Sequence, residues 1–210
     1  MSTVSATPRR RSTTSPLDLR GRSAVQRLLY PALMIGAAWG VALTIVSVGF
    51  TTTDDGHPFQ HAADYWLTGL GLPLMLSSLV VVHAIHGRAA GRDGGRGRWG
   101  AMLFVVPAAV FIAIFIDGLV FGENSSWGPT YLLCVLASDI TLGVLVAGLW
   151  RTGVLPRWVL MLWWLGWFVG GPLAPGAAPL LHTVAYIVLA LQLRRTVGNA
   201  PPARFGRRLR

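Results

Sequence analysis

The 210-residue chain is 53% apolar and 12% charged, with a net charge of +10 and a mean hydropathy of +0.54. An ordinary soluble domain carries about 25% charged residues, and the long uncharged runs here leave no room for a separate one. A single cysteine, Cys134, excludes an internal disulfide and a CxxC metal site.

Residues 1–27 are rich in Ser, Thr, Pro and Arg, and their composition predicts a disordered basic tail. The first apolar run, residues 28–50, is longer than a signal-peptide core and reads as a retained span. The second span falls at 66–86, after a polar stretch at 51–65. A glycine-rich loop with four arginines, residues 87–98, reads as flexible. The third span, 99–121, and the fourth, 130–150, flank a short loop. A tight turn with Gly153 and Pro156 leads to a short fifth span, 158–171. The sixth covers 177–193, and a basic tail occupies 194–210. The predicted fold is all-α: a bundle of six transmembrane helices at 28–193 between two tails.

All eighteen basic residues are arginines. Six lie in the N-terminal tail, four in the second loop, two in the fourth loop and six in the C-terminal tail. The positive-inside rule then predicts that both termini lie in the cytoplasm, as in a multi-pass protein of a bacterial inner membrane. This placement accounts for the charge through the lipid bilayer and excludes nucleic acid as the partner it implies. Trp99, Trp150 and Trp158 fall at the predicted inner borders, and Trp66, Trp127 and Tyr131 at the outer ones. Gly36 with Gly40, and Gly166 with Gly170, form GxxxG pairs that let helices approach closely, within the chain or in a homodimer.

Ionisable groups inside spans are costly and usually face a partner. Asp139 sits near the middle of the fourth span, between Ser138 and Thr141. Asp117 lies about a turn from the outer end of the third span. His182 and Tyr186 are four apart on the sixth, so they share a face. These residues predict an outward-facing polar pocket between the third, fourth and sixth spans. There Asp139 or Asp117 serves as the acid, His182 orients it, and Tyr186 with Trp163 and Trp167 of the fifth span lines the ligand. His57, His61 and Asp64, spaced i, i+4 and i+7, would face one way on a helix and offer an incomplete metal-ligand set. His83 and His86 read as polar groups near a helix C-terminus.

The turn from Arg151 to Trp158, reading RTGVLPRW, resembles a turn that recurs in uncharacterised small six-span membrane proteins of high-GC bacteria. The resemblance covers about residues 28–195 and carries over no catalytic residue. Size, membrane character and intramembrane acids are also similar to those of integral-membrane terpene cyclases, by analogy alone. The sequence holds no P-loop, GxSxG, HExxH or haem-attachment motif, and it identifies no cofactor. The expectation ranked first is a polar intramembrane site for a lipid-like or other small ligand. An enzyme acting on lipids or isoprenoids, a proton-coupled transporter and a scaffold are the alternatives.

Overall fold

The computed structural model describes residues 16–52, 58–123, 128–171 and 176–198, and the elements among them are helices, with no strand. They are α1 (Pro16–Gly49), α2 (Ala62–Ala89), α3 (Gly94–Leu103), α4 (Val105–Phe121), α5 (Gly128–Leu149), α6 (Arg157–Gly170) and α7 (Pro179–Gly198). α3 and α4 are two halves of one run, since Phe104 between them keeps right-handed helical angles of φ −61° and ψ −25°. Pro107 explains the interruption. It has no N–H to give the Leu103 carbonyl, and its ring crowds that carbonyl. Pro31 in α1 and Pro73 in α2, by contrast, sit inside helices that continue past them.

Among the described residues, four helical runs are long and apolar enough to cross a membrane: Ala24–Gly49, Ala62–Ala89, Gly94–Phe121 and Gly128–Leu149. α6 has 14 residues, or about 21 Å of helix against a hydrocarbon core of about 30 Å. α7 has 20 residues, but Gln192, Arg194 and Arg195 dilute its apolar run.

Each helical segment packs on its neighbour in the chain, and α7 returns to α1. The six segments thereby close into a ring. The two GxxxG pairs make the closure possible, and both face α7. On α1, a Cβ at Gly36 would strike the Tyr186 ring, and one at Gly40 would strike Thr183 and the Pro179 carbonyl. On α6, Gly166 faces Ala185 and the Leu181 carbonyl, while Gly170 faces Ala178 and His182. Small residues let backbones come close, and dispersion then acts over the whole contact. Thr183 Oγ1 donates to the Ala37 carbonyl at 2.8 Å, fastening α7 to α1. Both glycine pairs are thus used within the chain.

Two expectations change. The segment 87–98 contains only a short turn. α2 continues to Ala89, and α3 starts at Gly94. Asp93 holds this corner: its buried carboxylate bonds His86 Nδ1 at 2.5 Å. Gly97 and Gly100 lie directly on the backbone of α5 at Gly148 and Leu145, where no side chain fits. The glycines that suggested flexibility are therefore packing positions. The N-terminal segment also differs from the expected tail, because α1 already runs from Pro16. Gln26 secures this extension. Its Nε2 donates to the Ala84 carbonyl at 2.6 Å, and its Oε1 accepts from Arg88 Nε at 2.8 Å.

Gly36→Val should lower stability by about 1–3 kcal/mol or more through overpacking against Tyr186. Gly49→Val, where nothing lies within 4 Å of the added carbon, should change it by less than about 0.5 kcal/mol. Thermal unfolding of the two variants in detergent measures the difference.

Candidate functional site: an arginine-mouthed groove along α5

α5 carries Asp139, Gly143, Val146 and Ala147 on one side, at helical spacing, and Trp150 follows just past its end. That side forms the floor of an open groove of about 890 Å³. Met161 and Trp164 of α6 form one wall, and the turn leading into α3 forms the other. The groove lies where the ring is sparsest, at the junction of α5 and α6. Small residues at 143 and 147 leave its volume open.

The two ends differ in chemistry. At one end Arg92, Arg96 and Arg151 line the opening, and all three are exposed. The lining then becomes apolar, with Ile140 and Val144 of α5 and Met161 of α6. At the far end lies Asp139, whose Oδ1 is buried with no hydrogen-bond partner among the described residues. Trp164 borders it and donates from Nε1 to the Asp139 carbonyl at 3.3 Å. Trp164 also stacks on Phe168 at 6.4 Å. From Asp139 to Trp150 the groove follows α5 for about 16 Å, close to half of a bilayer's hydrocarbon core.

The other expected site residues separate into different places. His182 and Tyr186 are fully buried at the centre of the ring. The His182 ring packs against Tyr186 at 4.2 Å, Trp39 at 5.1 Å and Trp167 at 6.0 Å. Neither of its nitrogens makes a well-formed hydrogen bond among the described residues, and the Gly166 carbonyl lies alongside. Tyr186 and Ser78 share a hydrogen bond of 2.9 Å. Trp167 Nε1 donates to Ser138 Oγ at 3.1 Å. Trp163 is buried in the same core. Asp117 is half-buried on α4. The structure therefore does not gather Asp117, Asp139 and His182 into one pocket. Asp139 opens to the arginine-lined groove, while His182 is enclosed by aromatic rings.

Of the expected metal set, His57 lies outside the described residues. His61 is exposed where α2 begins. Asp64 turns back on the start of the helix, where Oδ2 accepts the amides of Gln60 at 3.1 Å and His61 at 2.9 Å. That is a capping role. No group of three or more His, Cys, Asp or Glu suited to a metal occurs among the described residues.

Sequence reasoning passed over Arg92, Arg96 and Arg151 as site residues, named Trp164 only alongside Trp163 and Trp167, and missed the pairing of half-buried His86 with buried Asp93. The arginines were taken up entirely by the topology argument. The signal that finds the groove is the row of small residues sharing a face with Asp139. Comparison with family models, with curated proteins and with solved structures finds no match for this chain. The groove is accordingly read from its own chemistry.

The Ser78–Tyr186 bond joins α2 to α7 inside the ring. A double-mutant cycle of Ser78→Ala and Tyr186→Phe should give a coupling energy of about 0.5–1.5 kcal/mol in unfolding measurements. Additive single losses would show that the bond does not contribute.

Proposed function

We propose that this protein spans the membrane six times, with both termini and the arginine-bearing turns in the cytoplasm, and binds an anionic lipid-like molecule in the groove along α5. The observation that carries the binding reading is a single groove with three arginines at its mouth and apolar walls behind them. Guanidinium groups match phosphate through paired N–H donors. A hydrocarbon chain suits the walls, and the groove's length along α5 suits one leaflet. The arginines lie in segments that the positive-inside rule assigns to the cytoplasm, so the headgroup would come from the inner leaflet. α6 and α7 complete the six crossings in this reading, and α6 is short enough to require local thinning or tilt of its surroundings.

Topology is tested with cysteines placed at glycines whose surroundings are open, Gly95 and Gly128, in a Cys134→Ser background. Gly95→Cys should react with a membrane-impermeant maleimide only in inside-out vesicles, and Gly128→Cys only in right-side-out ones. The reverse pattern, or labelling of both from one side, would sink the six-span orientation.

Binding is tested by native mass spectrometry with added phosphatidylglycerol and phosphatidylethanolamine. Ala147→Trp, at an exposed floor position, should abolish the lipid adducts. Combined Arg92→Gln, Arg96→Gln and Arg151→Gln should remove the preference for the anionic lipid, at about 1 kcal/mol per arginine. Wild-type adducts in Ala147→Trp would place the lipid elsewhere.

A further inference from the structure

A plain alkyl chain leaves the far end of the groove unmatched. Its C–H bonds neither donate nor accept a useful hydrogen bond. Yet the groove ends at Asp139, whose Oδ1 is buried without a partner among the described residues. A polar group left in that state between membrane helices is costly. The neighbouring donors are engaged elsewhere. Ser138 Oγ donates to the Val135 carbonyl and Thr141 Oγ1 to the Ala137 carbonyl, both at 2.8 Å. Trp164 presents its N–H edge, with the Asp139 carbonyl 3.3 Å away and the carboxyl beside it. Asp93, the other acid lining the groove, also has a buried oxygen without a partner. Its Oδ2, however, is bonded to His86 at 2.5 Å, and it stands at the arginine end, where a headgroup would lie.

The chemistry of the missing partner follows from these surroundings. Ile140, Val144 and Met161 separate Asp139 from the arginines, so the partner has to arrive on an apolar chain. A ketone or ester only accepts hydrogen bonds and does not match an unpaired acceptor oxygen. An ammonium only donates, and it would bring a further charge to the middle of the bilayer. A hydroxyl donates and accepts, so it matches the carboxyl whether or not the acid holds its proton.

We infer that the groove selects an anionic amphiphile whose chain carries a hydroxyl about 16 Å from its head, and that Asp139 is the residue that recognises it. This inference rests on the reading that the groove holds an anionic amphiphile, and it adds the group that separates the ligand from bulk lipid. Guanidinium forks accept carboxylate and phosphate alike. A free hydroxy fatty acid and a phospholipid with a hydroxylated acyl chain therefore share the required chemistry. A site that bonds a ligand hydroxyl rejects the analogue without it, because the buried partner is then left unpaired.

The test is competitive native mass spectrometry of the full-length protein in detergent. One pair is 12-hydroxystearate against stearate, with 3-hydroxystearate as a control of position. The other is phosphatidylglycerol with and without a 12-hydroxystearoyl chain, and the pair showing the preference identifies the source. Wild type should favour the 12-hydroxy member of at least one pair by about 3- to 30-fold. Asp139→Leu should bring that ratio close to parity, and Asp139→Asn, which keeps an acceptor and a donor, should retain part of it. Combined Arg92→Gln, Arg96→Gln and Arg151→Gln should weaken both members of a pair alike and leave the ratio unchanged. Comparing ratios between wild type and variant cancels any difference in how the two chains partition into the micelle. Thermal unfolding confirms that Asp139→Leu is folded, and the position dependence in wild type tests the inference without any variant. Equal binding of hydroxylated and plain chains by wild type overturns the hydroxyl and leaves the groove reading intact. An equal preference for 3-hydroxystearate overturns its position. An undiminished ratio in folded Asp139→Leu overturns the role of Asp139. Chains that Ala147→Trp fails to displace lie outside the groove and overturn the groove reading itself.

Discussion

The close seating of α7 between two glycine faces is the contact on which the rest of this structure depends. Gly36 and Gly40 of α1 meet it on one side, and Gly166 and Gly170 of α6 on the other. A side chain at any of these positions would hold the backbones apart. With the ring closed, Tyr186 reaches Ser78, His182 is enclosed by Trp39 and Trp167, and Thr183 meets Ala37. The rotation of α6 is fixed at the same time. Gly166 must face α7, so Trp163 and Trp167 turn inward and Trp164 turns toward α5. The wall of the groove is thus set by packing that takes place on the opposite side of α6.

A second constraint works at the basic end. Asp93 is buried against His86, and Gly97 and Gly100 bring α3 onto the backbone of α5. This corner holds the start of α3 beside α5 and places Arg92 and Arg96 at the groove opening near Arg151. One aspartate in the same stretch of sequence, 87–98, as four arginines looks like charge balance. In the fold it anchors the segment that carries them.

The helices were largely legible, because uncharged runs bounded by Arg, Gly and Pro mark helix ends in an apolar setting. Expected borders such as 130–150 and 158–171 lie within two residues of α5 and α6. The GxxxG pairs were legible as sites of close approach, though not as two sides of the same helix. The singled-out Asp139 does line a groove. What was not legible follows from helix rotation and from tertiary partners. Trp163, Trp164 and Trp167 are equivalent in composition, and only the position of Gly166 against α7 determines which one borders the groove. Depth alone grouped Asp139 with His182, but they face different surroundings. Asp64 resembled a ligand until Gln60 and His61 presented their amides to it. The segment 87–98 looked flexible because glycine denotes freedom in water and close packing between helices, and sequence does not distinguish the two.

The sparse junction of α5 and α6 has a consequence for how the groove fills. Ile140 and Ala147 of α5 line the groove and are exposed, Ile140 being 64% accessible, so the opening is lateral as well as at the arginine end. In the proposed orientation that side meets the fatty-acyl phase. Occupancy would then be governed by the mole fraction of the amphiphile among its neighbours in the leaflet, and hardly by its concentration in water. The competitors would be bulk lipids, present in large excess, and discrimination would have to come from the two ends of the molecule, since every chain in the leaflet matches the walls equally well.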